Sequence, residues 1–315
     1  MPTTSSLSFR LPDTLAAWPW PRRINPHYAE KAFNTCDFSL LACIAYPLAR
    51  KGCDLINFLF VIDEYSDVAD EKTAQAIADI VMDSLRNPLV PRPIGESIIG
   101  EITRQFWARA TKDASLPAQR RFVVAFDAYL QSVVQQAADR SENRVRDVET
   151  YFKNRRENIG ARPCFALLEF DMDLPDEVLE HPVVAGLTTH CIDMLILGND
   201  MFSYDMEQAQ GDAHNLVTVV MLHHHMTVQS AMDWIAELHE QLIHQFLDLL
   251  QSLPSWGHSI DDQVARYIDG LANWVRANDS WSFESQRYFG LDGLQIQDSR
   301  WVTLTSSRDT FPAAL

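Results

Sequence analysis

The chain has 315 residues, with 26 Lys and Arg against 43 Asp and Glu, so its formal net charge is −17 at pH 7. A surface this acidic repels polyanions, which argues against a nucleic-acid-binding protein and against one that binds anionic membranes. Because 47% of the residues are hydrophobic and 22% are charged, the chain can bury a large core and is not a disordered acidic segment.

The glycines and cysteines limit the possible folds and indicate the cellular compartment. No two of the 11 glycines are separated by a single residue, so the G-x-G-x-x-G loop of dinucleotide-binding folds is absent. The five cysteines include no C-x-x-C pair, which predicts thiols in a reducing compartment. The N-terminus lacks the pattern of a signal peptide, and no apolar run could span a bilayer. We therefore expect a soluble, cytoplasmic protein with no membrane partner.

In chain order, an N-terminal strip over residues 1–30 comes first. Its prolines and its two tryptophans, Trp18 and Trp20, predict an extended arm packed on a helical body. Apolar residues then recur at the three- and four-residue spacing of amphipathic helices, in stripes over residues 77–85, 123–134, 228–253 and 264–275. No segment alternates with period two. The pattern predicts an all-α bundle that forms one domain over residues 1–315.

A first acidic cluster, D-E-Y-S-D at residues 63–67, follows the apolar run of residues 58–62. On a helix, Asp63 and Asp67 share one face and lie one turn apart. Two carboxylates in that position repel one another and are costly to desolvate unless a divalent cation lies between them. The competing interpretation is a solvated acidic end of a helix.

A second cluster, N-D-M-F-S-Y-D-M-E at residues 199–207, also follows an apolar run. Asn199, Ser203 and Glu207 recur at i, i+4 and i+8 and therefore share one helical face. Amide, hydroxyl and carboxylate oxygens are hard ligands that suit Mg²⁺. Two such clusters on facing helices would make a binuclear or trinuclear Mg²⁺ site for a diphosphate.

The two clusters resemble the metal-binding motifs of the class I terpene synthases, and specifically those of fungal sesquiterpene synthases of the basidiomycete type. The segment D-E-Y-S-D is similar to the aspartate-rich motif, with Glu64 in place of Asp at the second position. Asn199, Ser203 and Glu207 occupy the three ligand positions of the NSE motif.

Two further segments extend the resemblance over essentially the whole chain. Arg287 and Tyr288 are similar to the family's C-terminal RY pair. Residues 155–160, R-R-E-N-I-G, resemble the stretch that carries the diphosphate-sensing arginine and the helix-break glycine. The N-terminal strip also fits the family's pattern.

The resemblance implies a single-domain class I terpenoid synthase fold, an all-α helical bundle around a central active-site cavity. It implies a sesquiterpene synthase that ionises farnesyl diphosphate, cyclises the carbocation to a hydrocarbon or alcohol, and releases diphosphate. Three Mg²⁺ ions are expected, one pair on Asp63 with Asp67, and the third on Asn199, Ser203 and Glu207. When bound, the ions neutralise charge on the departing diphosphate.

The resemblance also assigns donors to the diphosphate. Arg156, Arg287 and the Tyr288 hydroxyl are the expected catalytic and substrate-binding groups, because the guanidinium fork matches phosphate oxygens. Arg155 is the less favoured sensor of the adjacent pair. The competing interpretation of each arginine is a surface ion pair.

Aromatic side chains beside the motifs are candidates for the cavity wall, where their negative faces would stabilise a carbocation. These substrate-binding candidates are Phe58, Phe60, Trp281 and Tyr288, and ordinary core packing is the competing interpretation of each. Gly160 is expected to break its helix and to point a carbonyl towards the cation, although a glycine kept for packing fits equally.

Two other functions compete with cyclisation. A prenyl diphosphate synthase uses the same scaffold, but it should carry two aspartate-rich motifs, and the second motif here is the NSE triad. A non-catalytic acidic helical binding protein gives no reason for oxygen donors at i, i+4 and i+8 in an apolar helix. For a cyclase we favour initial 1,11 over 1,10 ring closure and leave the product open. The expected partner is a small isoprenoid diphosphate, and the protein is expected to be a monomer or a homodimer.

Overall fold

The computed structural model describes residues 7–29, 37–47, 52–142 and 144–305. Within these ranges the chain forms α-helices joined by short loops, and two short strands. The helices are α1 (Asp37–Ala45), α2 (Gly52–Ser66), α3 (Glu71–Arg86), α4 (Ile98–Ala110), α5 (Leu116–Ser141), α6 (Val148–Asn158), α7 (Ala161–Leu168), α8 (Asp176–Leu179), α9 (Pro182–Gln210), α10 (Leu216–His224), α11 (Val228–Gln251), α12 (His258–Glu284) and α13 (Gly293–Ser299). The strands are β1 (Ser8–Arg10) and β2 (Trp301–Thr303), and short 3₁₀ turns cover Pro26–Ala29, Thr111–Asp113, Glu169–Asp171 and Gly290–Asp292.

The four predicted amphipathic stripes are helices in the structure. They lie in α3, α5, α11 and α12, and the 228–253 stripe extends two residues past the end of α11. Helices α3 and α5 begin with a polar N-cap side chain. Asp70 accepts the Thr73 N–H at the start of α3, and Ser115 accepts the Ala118 N–H at the start of α5.

The strip before α1 packs on the bundle, as predicted, over its described residues 7–29. The Trp18 ring lies 5.0 Å from that of Phe246, and its indole N–H donates to the Ala272 carbonyl at 3.1 Å. The helical bundle also contains a short pair of strands. Strands β1 and β2 pair antiparallel with Phe9 opposite Val302. Three residues are too few to show a period-two pattern, so the sequence gives no signal for this pair.

Helix α9 is the central element and packs against α10, α11 and α12. Its middle section, including the run Cys191–Gly198, is buried around its whole circumference, which is why it shows no one-sided stripe. It ends at Gly211, whose φ of 80° places it in the left-handed region. This arrangement sets the second acidic cluster in the last part of a buried helix.

No described helix is long and apolar enough to cross a membrane. The described cysteines, Cys43, Cys53, Cys164 and Cys191, form no disulfide, and Cys36 lies outside the described residues.

Candidate active site

One cavity of about 220 Å³ lies where the ends of α2, α6, α9 and α12 meet. Two kinds of side chain line it. The apolar part includes Leu41, Ile56, Leu59, Phe60, Ile159, Leu195, Trp274 and Trp281, and the polar part includes Asp63, Asp67, Arg155, Asn199, Glu207, Asp212, His214, Arg287 and Tyr288. The cavity therefore joins an apolar volume to a set of convergent charges, as ligand sites commonly do.

The first acidic cluster reaches the cavity at the end of α2. Asp63 lies in the last turn, and Asp67 follows the helix with its N–H donating to the Asp63 carbonyl at 2.9 Å. Partial removal from water raises the pKa of both carboxyls, although 43% of the Asp63 side chain is exposed and Asp67 is exposed as well. The nearby Asp63 charge adds to the effect at Asp67, bringing its pKa to about 7. Two crowded carboxylates with raised pKa values are a pair that a divalent cation would stabilise.

The second acidic cluster faces the first through two of its three predicted ligands. Asn199 and Glu207 line the cavity. Ser203 does not, because its side chain is buried and its hydroxyl lies 3.4 Å from the Asn215 amide nitrogen. That same amide donates to Glu207 Oε2 at 2.8 Å. Burial, followed by the nearby charge of Asp200, raises the pKa of Glu207 to about 7.

The adjacent arginines are placed differently from the prediction. Arg155 lines the cavity and donates to Asn199 Oδ1 at 2.8 Å and to Asp200 Oδ1 at 3.0 Å. Arg156 is not part of the lining and pairs bidentately with Asp193 at 2.7 and 2.8 Å. Neighbouring helical residues lie about 100° apart, and here Arg155 faces the cavity whereas Arg156 faces Asp193. Of the two arginines, Arg155 is therefore the one that faces the cavity.

The predicted RY pair lies at the cavity beside both acidic clusters. Arg287 Nη2 is 3.6 Å from Asp63 Oδ2, and its guanidinium lies 4.8 Å from the centre of the Phe60 ring. The Tyr288 hydroxyl accepts a hydrogen bond from the Asn199 amide at 3.0 Å. These contacts connect the C-terminal segment to both predicted metal motifs.

Of the four aromatic candidates, three line the cavity and one is buried in the core. Phe60, Trp281 and Tyr288 line the cavity, and the rings of Trp281 and Tyr288 meet edge to face at 5.7 Å. Phe58 does not reach the cavity, because it is buried in the core and stacks on Phe126 at 5.5 Å. Residues two apart on a helix point about 200° apart, so Phe58 and Phe60 take opposite faces of α2.

Gly160 forms the predicted helix break. It separates α6 from α7 with φ of 74° and lines the cavity. An added Cβ would lie 3.8 Å from Leu59 and Tyr129, so space alone does not require glycine there. The left-handed backbone does favour it, because side chains are strained in that region.

The chain is similar to a known protein family and to named fungal enzymes. Residues 54–245 match the family described as terpene synthase family 2, C-terminal metal binding. A Δ6-protoilludene synthase of Armillaria gallica is 56% identical, over 93% of this chain and 93% of its own. A second Δ6-protoilludene synthase, from Stereum hirsutum, is 54% identical over 93% of this chain and 87% of its own. The chain belongs to the terpene synthase family.

A solved structure of the same fold supports the architecture of this terpene synthase. The linalool/nerolidol synthase of Streptomyces clavuligerus, in complex with 2-fluorogeranyl diphosphate, superimposes with a TM-score of 0.75 at 24% identity. The match covers 85% of this chain and 98% of the other. The predicted all-α class I fold is confirmed.

The terpene synthase is an enzyme, a sesquiterpene synthase whose general reaction ionises a prenyl diphosphate. The fungal source of the relatives agrees with the basidiomycete-type resemblance. The matched family is a metal-binding one, and the oxygen donors at the cavity are of the type that divalent ions prefer.

Several polar residues of the site were not singled out from the sequence. Asp200 has no exposed surface and accepts hydrogen bonds from the Tyr151 hydroxyl, from Arg155 and from the Leu216 N–H. His214 lines the cavity, and burial together with nearby arginine charges lowers its pKa to about 3, so that its ring is neutral. Asp200 follows Asn199 in the NSE segment, and this position is the sequence feature that could have indicated that Asp200 belongs to the site.

Proposed function

We propose that this terpene synthase converts farnesyl diphosphate to Δ6-protoilludene through an initial 1,11 ring closure. The observation that carries the proposal is the agreement among relatives, because seven fungal proteins that are 48% to 56% identical over nearly the whole chain bear that product name. Product identity in such enzymes depends on the shape of the cavity.

We assign the diphosphate end of the substrate to the polar part of the cavity. Asp63 and Asp67 on one side, with Asn199 and Glu207 on the other, are oxygen donors suited to Mg²⁺. Ser203 completes the second set if its hydroxyl turns from Asn215. When bound, three Mg²⁺ ions would supply Lewis-acid stabilisation of the leaving diphosphate.

Hydrogen-bond donors of the protein also lie at the polar part of the cavity, where the diphosphate is assigned. Arg155, Arg287 and Tyr288 line the cavity, and their N–H and O–H groups can donate to diphosphate oxygens. Asn199 Oδ1 already accepts a hydrogen bond from Arg155. Because an amide oxygen has two lone pairs, it can keep that bond and also ligate an ion. Arg155 therefore holds a ligand in place as well as offering donors.

The apolar part of the cavity suits the farnesyl chain and the carbocation. Phe60, Trp274 and Trp281 present aromatic surface to it, and Tyr129 lines it as well. Aromatic faces attract cations through their quadrupole, and an apolar lining leaves little water to capture the cation as an alcohol. Loss of one proton from the final cation then gives a hydrocarbon with all the carbons of the farnesyl group.

The remaining predictions are retained as proposals. We propose that residues 1–315 form one domain and that the protein acts in the cytoplasm as a monomer or a homodimer. The chain-elongating alternative has no support among the relatives, which are named as synthases of terpenes. The scaffold alternative is opposed by the convergent charges of the cavity.

Turnover of farnesyl diphosphate tests the proposal directly. The purified protein is incubated with the substrate and Mg²⁺, and in parallel with EDTA, and volatiles are identified by gas chromatography and mass spectrometry against authentic Δ6-protoilludene. We expect Δ6-protoilludene as the main product only when the metal is present. A product of 1,10 closure would contradict the ring closure, and no volatile product would contradict the proposed substrate.

A further inference from the structure

An arginine outside the cavity holds the end of the helix that carries the first acidic cluster. Arg140 lies in the last turn of α5, and its Nη2 donates to the Ser66 carbonyl at 2.9 Å and to the Ala69 carbonyl at 3.0 Å. These carbonyls lie on either side of Asp67, in the turn that joins α2 to α3. A single guanidinium nitrogen thus ties both sides of the turn to α5.

The Ser66 and Ala69 carbonyls lie in a turn where few other hydrogen-bond donors are available. The last four carbonyls of a helix have no partner within the helix, and Ser66 is at the end of α2. Ser66 is 3% exposed and Ala69 is 9% exposed, so water has little access to either residue. The Ser66 carbonyl also accepts the Ala69 N–H at 3.1 Å. Arg140 adds a second bond there and supplies the Ala69 carbonyl with a donor.

The end of α5 is itself fixed. Arg146 pairs with Asp139, the neighbour of Arg140, and the Arg144 N–H donates to the Asp139 carbonyl at 2.9 Å. The Asp139 side chain is 5% exposed. Arg140 therefore connects the turn between α2 and α3 to a helix end that is itself held by an ion pair and a hydrogen bond.

We propose that Arg140 is a positioning residue for the first metal cluster, which sets the affinity for Mg²⁺ by holding the backbone between Asp63 and Ala69. The proposal rests on the proposed function, because it takes Asp63 and Asp67 as ligands. Two repelling carboxylates move apart if their backbone is free. Restraining that backbone lowers the cost of bringing both to the ions, as supporting residues do at other metal sites.

Two substitutions separate the hydrogen bonds from the charge. Arg140→Met keeps the apolar stem and removes both, whereas Arg140→Lys keeps the charge on a shorter side chain whose ammonium ends one bond short of the Arg140 Nη2 position. Arg120→Met is the matched control, since Arg120 lies on the same helix in a surface pair with Asp176 and its side chain is 59% exposed. The readouts are the Mg²⁺ concentration for half-maximal turnover and, independently of turnover, calorimetric binding of inorganic diphosphate with Mg²⁺.

We expect Arg140→Met to raise the half-saturating Mg²⁺ concentration roughly tenfold and to weaken Mg²⁺-dependent diphosphate binding in parallel. Arg140→Lys should fall between Arg140→Met and the wild type. Turnover at saturating Mg²⁺ and the product mixture should stay close to wild type, and Arg120→Met should change neither readout.

Equal Mg²⁺ dependence in the wild type and in both Arg140 variants would overturn the proposal, even if the variants unfold at lower temperature. If Arg140→Met does not fold, Arg140→Lys decides alone, and a wild-type Mg²⁺ dependence overturns the proposal. A wild type that neither turns over farnesyl diphosphate nor binds diphosphate with Mg²⁺ would instead contradict the proposed function, so the two failures are distinct.

Discussion

Polar side chains at the cavity are connected by a chain of hydrogen bonds that runs from the segment after α12, through α9, to α6. The Asn199 amide donates to Tyr288 and accepts from Arg155, and Arg155 in turn pairs with Asp200. Asp200 also accepts the N–H of Leu216 at 3.0 Å, which fixes the start of α10. Each member therefore orients its neighbours, and a change at one position is expected to affect the others.

The first prediction concerns the ligands. Asp63→Ala should abolish measurable turnover, and Asn199→Ala should lower kcat/KM by at least about a hundredfold, because each loses an oxygen donor to Mg²⁺. Steady-state kinetics with farnesyl diphosphate measures both. Asp79→Ala, on the exposed face of α3, is the control and should retain wild-type rates. Near-normal turnover in the two ligand variants would rule out the assigned metal site.

The second prediction separates the adjacent arginines. Arg155→Gln should lower kcat/KM by roughly a hundredfold and also destabilise the fold, because it leaves the fully buried Asp200 without its charged partner. Arg156→Gln should stay within about threefold of the wild type, since the 38% exposed Arg156 side chain pairs away from the cavity. The opposite order of effects on turnover would restore Arg156 as the sensor.

At the scale of elements, the interruption between α6 and α7 shapes the cavity. Ile159, Gly160 and Ala161 all line it, so the break presents backbone as well as side chains to the cavity. An uninterrupted helix would carry these residues around its circumference and away from one surface. The left-handed glycine thus converts one helix into two segments that border the same space.

The third prediction tests this break. Gly160→Ala should lower the free energy of unfolding by about 1–2 kcal/mol, because alanine is strained at φ of 74° although its Cβ has room. Urea unfolding measures the loss. Gly211→Ala is matched, since Gly211 has φ of 80° and no heavy atom within 4 Å of an added Cβ. We expect an equal loss of stability in both variants but an altered product mixture only in Gly160→Ala. An unchanged mixture would show that the break does not shape the reaction.

At the scale of the whole molecule, charge is distributed so that a strongly acidic protein can bind a polyanion. The net charge is −17, yet Arg155 and Arg287 converge on the cavity among its carboxylates. Under the proposed function, cations bound by the carboxylates would attract diphosphate together with the arginines. Metal and diphosphate are therefore expected to bind cooperatively.

The fourth prediction follows from the expected cooperative binding of metal and diphosphate. Diphosphate with Mg²⁺, at about 100 times the dissociation constant, should stabilise the protein by about 2.7 kcal/mol, because a ligand of the folded state shifts the unfolding equilibrium. Thermal unfolding measures the shift. Mg²⁺ alone and diphosphate alone should each give much less, and EDTA should remove the combined effect. A full shift from diphosphate without metal would contradict the role of the carboxylates.

The sequence by itself determined the features that depend on local order. Helical spacing predicted the stripes of α3, α5, α11 and α12. The i, i+4 and i+8 positions of Asn199, Ser203 and Glu207 predicted a shared face on α9, of which Asn199 and Glu207 line the cavity and Ser203 does not. The family resemblance added the Arg287 and Tyr288 pair and the break at Gly160. All of these depend on periodicity, or on residue types that are specific to one backbone geometry.

Tertiary packing decided which neighbouring side chain faces the cavity. Arg155 rather than Arg156, and Phe60 rather than Phe58, line it because the packing of α6 and α2 against the bundle sets how each helix is rotated. Arg140, which donates to the Ser66 carbonyl beside the first acidic cluster, lies 74 positions away from Ser66 in the chain. No sequence period records a contact over that distance, because it arises only when separate helices pack together.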